Sequence, residues 1–196
     1  MEILEVAEGL ATREGLASLS IARLADEVGM SKGGVFSHFG SKEALQLATI
    51  ATARERFTRE VADPTLREPA GLARLRAALE LYFAYVARRL QSGGCFFTAT
   101  TLEMADRPGA VRDEVSAFLS ARQALIVQSL RDAMRRKEIK DVDPEQLAFE
   151  LVALATGAMV ELQMFKSPKT LQRVRVATEQ RLSELQARKP KSRARS

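Results

Sequence analysis

Tryptophan is absent from this 196-residue chain, tyrosine occurs twice, and histidine and cysteine occur once each. The single thiol, Cys95, excludes an internal disulfide and points to a reducing, cytoplasmic setting. It also lacks the second thiol that would resolve an oxidised form, so Cys95 reads as a small buried hydrophobe. His38 and Cys95 fall in different predicted helices, and no nucleophile elbow, H-E-x-x-H pair or G-x-x-x-x-G-K-[ST] loop is present. Hydrolytic, metal and nucleotide chemistry lack their usual ligands, which reads as a non-enzyme without cofactor or metal. The N-terminus has no basic segment leading into an apolar run, so no signal peptide is expected. No unbroken apolar run reaches bilayer-crossing length, so no membrane partner is expected.

What is present favours a helical globule. Hydrophobic residues make up 46% of the chain, and the abundant Ala and Leu both favour helix. The length fits one large domain or a small domain fused to a medium one. The formal charge of +5 is misleading, because Arg188, Lys189, Lys191, Arg193 and Arg195 supply it within the last nine residues. Residues 188–196 read as a basic, disordered tail, either solubilising or a non-specific contact to phosphates.

Apolar periodicity predicts about nine helices and no convincing strand. A first amphipathic helix covers 2–14. Ser20 caps a second, 21–28, which Gly29 stops; Ser31 caps a third, to about Phe39; Ser41 caps a fourth that runs on to Asp63-Pro64. A loop at 64–71 precedes helices over 72–90, 95–105 and 110–137. Asp143 and Pro144 open a helix to about Phe165 that is apolar almost all round, and a last helix spans 169–187. The expected organisation is a reading head over 1–46 and a helical regulatory and dimerisation domain over 47–187.

One stretch breaks the helical pattern. In "GMSKGGVFSHFGSKEAL", residues 29–45, Gly33 and Gly34 sit where a short helix should run, and each costs about 1 kcal/mol there relative to alanine. Two helices joined by a tight turn, the second opened by a serine cap, are the grammar of a helix-turn-helix. Glycines at the start of a recognition helix allow the backbone to approach DNA closely. The joint pattern in "SIARLADEVGMSKGGVFSHFGSKEAL", residues 20–45, resembles the DNA-binding signature of the TetR family of bacterial transcriptional regulators.

That resemblance implies a role for each matching position. Ser20 and Lys42 would touch phosphates. Lys32, Gly33, Gly34 and Val35 would face base edges, with Ser31 and Ser37 alongside, and His38 would contact the backbone. Leu24, Ala25, Val28 and Phe39 would pack the small core. Phe36 stands where the family usually has a tyrosine whose hydroxyl binds a phosphate, so that anchor is lost. Many members carry a basic arm before the first helix; this chain starts inside that helix with Glu2 and Glu5, so either the arm is missing or the true start lies upstream. Residues 1–60 hold seven Lys/Arg against nine Asp/Glu, but 28–42 is free of acid.

The resemblance also implies an effector site among the middle helices. Tyr82, Tyr85, Phe97, Thr101, Met104, Phe118, Phe149, Met159 and Gln163 are candidates to line it, the alternative being ordinary core. Such walls suit a small hydrophobic or aromatic effector. Leu147, Leu151, Leu154, Ala158, Leu162, Val174 and Leu182 are candidates for a four-helix interface with a second copy, the alternative being intrachain packing. The expected function is a dimeric repressor released from a pseudo-palindromic operator by its effector. The competing reading is a helical interaction protein whose DNA-binding head has lapsed.

Overall fold

Serine caps and left-handed stops punctuate the first third of the chain. In the computed structural model, which describes residues 3–186, helices α1 (Ile3–Glu14), α2 (Ile21–Val28) and α3 (Lys32–Phe39) form a three-helix head. The Oγ of Ser20 accepts the Arg23 amide at 3.1 Å, and that of Ser31 accepts the Gly34 amide at 3.0 Å. Ser41 repeats the arrangement on Ala44 at 3.0 Å, each cap satisfying one orphan N–H at a helix start. Between α2 and α3, Gly29 takes φ 69° and sends its N–H back to the Ala25 carbonyl, a turn that a Cβ would strain. Leu10, Leu16, Leu19, Leu24, Val35 and Leu45 close the head's core. The basic tail expected at 188–196 lies outside the described residues.

Helix α4 (Lys42–Phe57) leaves the head and continues through a π-helical turn (Thr58–Ala62) into α5 (Asp63–Arg67). Here the structure corrects the sequence reading, which stops the helix at Asp63-Pro64 and makes 64–71 a loop, whereas 64–67 is helical. The Asp63 N–H bonds the Thr58 carbonyl, five residues back. Widening the turn in this way gives the Pro64 ring room where an α-turn would press it against the preceding carbonyl. Counting Lys42–Arg67 as one run gives, among the described residues, the nine rods expected.

The remaining rods are α6 (Leu72–Arg89), α7 (Phe96–Met104), α8 (Ala110–Arg135), α9 (Pro144–Phe165) and α10 (Lys169–Leu185), with a 3₁₀ turn at Leu90–Ser92. No strand occurs among the described residues, only an isolated bridge between Ile139 and Gln186. Helix α8 packs against α4, α6, α7 and α9, and α10 packs on α9 and α6. Helix α1 reaches back to both α4 and α7, which joins the head to the larger domain.

By length and composition α9 is apolar enough to cross a membrane. The fold explains this composition by two stripes. Leu147, Leu151, Ala155, Met159 and Leu162 are buried within the chain, whereas Phe149, Leu154, Val160 and Met164 are exposed.

Candidate nucleic-acid interface and effector cavity

On α3, Ser31, Lys32, Gly33, Phe36, Ser37 and His38 are all exposed, and Gly34 is half-buried. Val35 is 0% exposed and packs into the head's core, so its side chain cannot face a base edge as the resemblance implies. This follows from the helical period, since one residue in each turn of an exposed helix must hold it to the domain. Ser20 is half-buried, Lys42 is exposed, and the Lys42 ammonium donates to the Ala17 carbonyl. The cap on Gly34 leaves the Lys32 and Gly33 amides at the positive end of the α3 dipole, where no acid stands in the first turn.

The two glycines differ. A Cβ added at Gly34 would meet the Ser31 Oγ at 3.2 Å, whereas one added at Gly33 would meet nothing within 4 Å. The chain itself gives no reason for a glycine at 33, so the open space there is available to an external surface.

The head is braced from several sides. Arg23 donates to both carboxylate oxygens of Glu14, at 2.9 and 2.6 Å, and to Glu27 at 2.9 Å, which holds the Glu14 carboxyl below the usual range. Glu103 on α7 accepts the Leu16 and Ala17 amides, each at 2.7 Å. Gln46 on α4 donates to the Leu16 carbonyl at 2.7 Å. The α1–α2 loop is thus gripped by α4 and by α7 at once. Sequence reasoning missed Glu103, because an acid on a helix face looks solvated until its distant partner is known.

Between α4, the π-turn, α6, α8 and α9 lies a cavity of about 280 Å³. Phe57, Tyr82 and Phe118 form its aromatic wall; the Phe57 and Phe118 rings meet edge-to-face at 4.9 Å. Arg54, Thr58, Thr65 and Arg122 supply its polar atoms, and no acidic residue lines it. The Tyr82 hydroxyl lies 3.2 Å from the Thr98 Oγ1, and burial pushes its pKa up.

Of the residues expected around an effector, Tyr82 and Phe118 line this cavity. Tyr85, Phe97 and Met104 are buried in the core instead, Phe97 stacking on Phe118 with ring centroids 3.4 Å apart. The Thr101 hydroxyl is turned back to the Phe97 carbonyl at 2.5 Å. Met159 and Gln163 sit beside Gly94. Phe149 is exposed on the outer stripe of α9. Of the residues that sequence missed, Arg54, Phe57 and Arg122 come from helices read only for their apolar periodicity, and Thr65 from a stretch read as a loop.

A second, shallow groove runs between α9 and α10, lined by Phe149, Leu154, Gly157, Ala158, Val174 and Ala177 among others. Of the expected interface residues, Leu154, Ala158 and Val174 lie in it. Leu147, Leu151, Leu162 and Leu182 are buried within the chain, because α9 and α10 each spend one stripe on the core.

Both the head and the larger helical domain match known proteins. Residues 3–49 match the family described as bacterial regulatory proteins, tetR family, and residues 71–178 match the tetracyclin repressor-like C-terminal domain. Nucleoid occlusion factor SlmA of Vibrio cholerae serotype O1 is 25% identical over 169 residues, covering 81% of this chain and 80% of its own. A TetR transcriptional regulator from Chloroflexus aurantiacus superposes with a TM-score of 0.85 at 24% identity, over 94% of this chain and 93% of that one. A Saccharomonospora viridis protein, solved in complex with choline, superposes with a TM-score of 0.78 at 23% identity, over 95% of this chain and 96% of that one.

Proposed function

Since the chain belongs to the TetR family of transcriptional regulators, we propose that it is a homodimeric repressor released from operator DNA by a small effector. The observation that carries this reading is the reading face of α3. It is exposed, it is free of acid, and it keeps a glycine at 33, in its first turn, that the fold does not require. Lys32 and the α3 N-terminus meet the phosphates or base edges, and the exposed Phe36 ring offers an apolar contact to a thymine methyl. The domain division at residue 46 then marks function more than a break in the fold, since α4 runs through it. Operator DNA places the protein at work in the bacterial cytoplasm.

The route from effector to DNA follows α4. Its first residue, Lys42, underlies the head, and Arg54 and Phe57 near its end line the cavity. The helix spans about 24 Å at 1.5 Å per residue. A π-turn at the cavity wall is a place where a helix can change register at small cost. An occupant that fits one setting of α4 better than another shifts the population of head spacings by its differential affinity. Glu103 gives α7 a second grip on the head, so motion at α7 also reaches the α1–α2 loop.

The test is a mobility shift with DNA from upstream of the protein's own gene, at about 150 mM salt with competitor. Retention that Lys32→Ala reduces about tenfold supports the reading. No retention of this DNA, followed by no enrichment of any duplex from a random pool, would establish the lapsed head instead.

A further inference from the structure

The cavity wall carries a charge that the chain does not balance. Arg54 has its charge balanced, its Nη2 meeting the Glu114 carboxylate and lying 3.3 Å from the Glu114 carbonyl, although its Nε, like that of Arg122, has no acceptor. The charge of Arg122 is not balanced. Among the described residues no carboxylate lies within ion-pairing distance of it, and its Nε, shielded from water, has no acceptor. Its guanidinium carbon sits 5.9 Å from the centroid of the Tyr82 ring. The Thr65 hydroxyl, fully buried on the same cavity, also has no partner. A buried donor without an acceptor is costly, and a cation beside apolar walls more so.

We infer that the cavity takes a monocarboxylate with an apolar body, its carboxylate paired with Arg122 and its body against Phe57, Tyr82 and Phe118. This rests on reading the cavity as the effector site. A guanidinium fits a carboxylate with two parallel N–H···O bonds, and its Nε is one of the donors of that fork. One unbalanced cation calls for one negative charge. A dianion would leave an excess charge in an apolar chamber, and a cation would face two arginines with no acid on the lining. A neutral apolar molecule would fill the space but leave the Arg122 Nε unpaired. The volume of about 280 Å³ suits a small aryl or medium-chain alkyl acid.

The test is calorimetric titration of the full chain with four probes: 4-phenylbutyrate, octanoate and the primary amide of each. At least one acid is expected to bind about tenfold or more tightly than its amide, as a charged hydrogen-bonded pair requires. Whether phenylbutyrate or octanoate does so distinguishes an aryl from an alkyl occupant. Arg122→Leu and Arg122→Gln should each bring the acid down to the level of its amide and leave the amide unchanged. The melting temperature of unliganded Arg122→Leu should equal or exceed that of wild type, because an unpaired charge is removed. Equal binding of acid and amide, an acid preference that survives both variants, tighter binding of phenyltrimethylammonium, or no binding of any probe at millimolar concentration would each overturn the inference. Operator release separates the two layers. Equal release by acid and amide overturns the carboxylate but keeps the effector site, whereas Arg122-dependent acid binding without release keeps the carboxylate and removes the effector role.

Discussion

Gly33 carries an argument that most residues cannot. It occupies the first turn of a helix, it is exposed, and a methyl group there would touch nothing in the chain. Gly33→Ala should therefore stabilise the protein by about 0.5–1 kcal/mol, read from the urea midpoint. The same substitution should weaken operator binding in a shift titration, since the space belongs to DNA. Unchanged operator affinity in Gly33→Ala would remove the close-approach argument. Gly34 was legible in sequence only as a second glycine. The structure gives it a different reason, because a side chain there would crowd the Ser31 cap that starts the helix. Arg122 shows the limit at this scale. Its sequence neighbours mark it as a polar position on a helix, and only the surrounding elements make it an unbalanced charge.

Ion pairs of defined sign hold α10 in place. Arg181 donates to Glu150 on α9 at 2.6 Å, and Arg76 on α6 donates to Glu179 at 3.0 Å. Hydrogen bonds from these arginines depress both carboxyls below the usual 4.5. A depressed carboxyl contributes stability that is present above the unfolded value and lost as pH falls through the folded one. Amide protection along α10 should thus fall as the pH drops below 4.5, and added salt should reduce the difference, since both pairs are solvent-screened. Protection that does not change with acid would leave apolar packing alone to hold α10. Glu8 has the opposite sign. Buried between Arg56 and Arg89, it is raised by desolvation that outweighs its two cations, so its contribution declines as pH rises past 4.5. Acid loosening of α10 therefore does not come from Glu8. At this scale the caps at Ser20, Ser31, Ser41 and Asp143 were readable, because a cap is a contact between residues two or three apart. The π-turn before Pro64 was not, because proline predicts a stop and only packing against α6 keeps the rod running.

The whole molecule ends in an exposed apolar face. Phe149, Leu154, Val160 and Met164 on α9 and Val176 on α10 are open to solvent, and Phe149 and Leu154 border the groove between α9 and α10. Gly157 adds to the argument, since a Cβ there meets nothing within the chain and its absence lets a second helix come close. Two copies joined through this face would present their α3 helices to successive major grooves, about 34–36 Å apart. Leu154→Arg should convert a dimer to a monomer in sedimentation and abolish operator retention while leaving the helical circular dichroism unchanged. A variant that sediments as wild type would place any interface elsewhere. Leu147, Leu151, Leu162 and Leu182 make poor probes of association, because they are buried in their own chain and replacing them would disturb the core first.

Local interactions decided what the sequence alone determined: an all-α chain, the serine-capped recognition helix, and the family resemblance over 20–45. Each depends on residues within a few positions of one another, whose spacing is visible in one dimension. Only the tertiary structure divided the apolar residues among core, cavity and outer face. Along α9 apolar residues lie almost all round, so Phe149, Leu154, Val160 and Met164 read in one dimension like the buried Leu147, Leu151 and Leu162. The cavity draws Phe57, Tyr82, Phe118 and Arg122 from three helices far apart in sequence. A charge without a partner is a property of that assembly, fixed when α8 lies across α4 and α6 with its Glu114 on Arg54 and no acid within reach of Arg122.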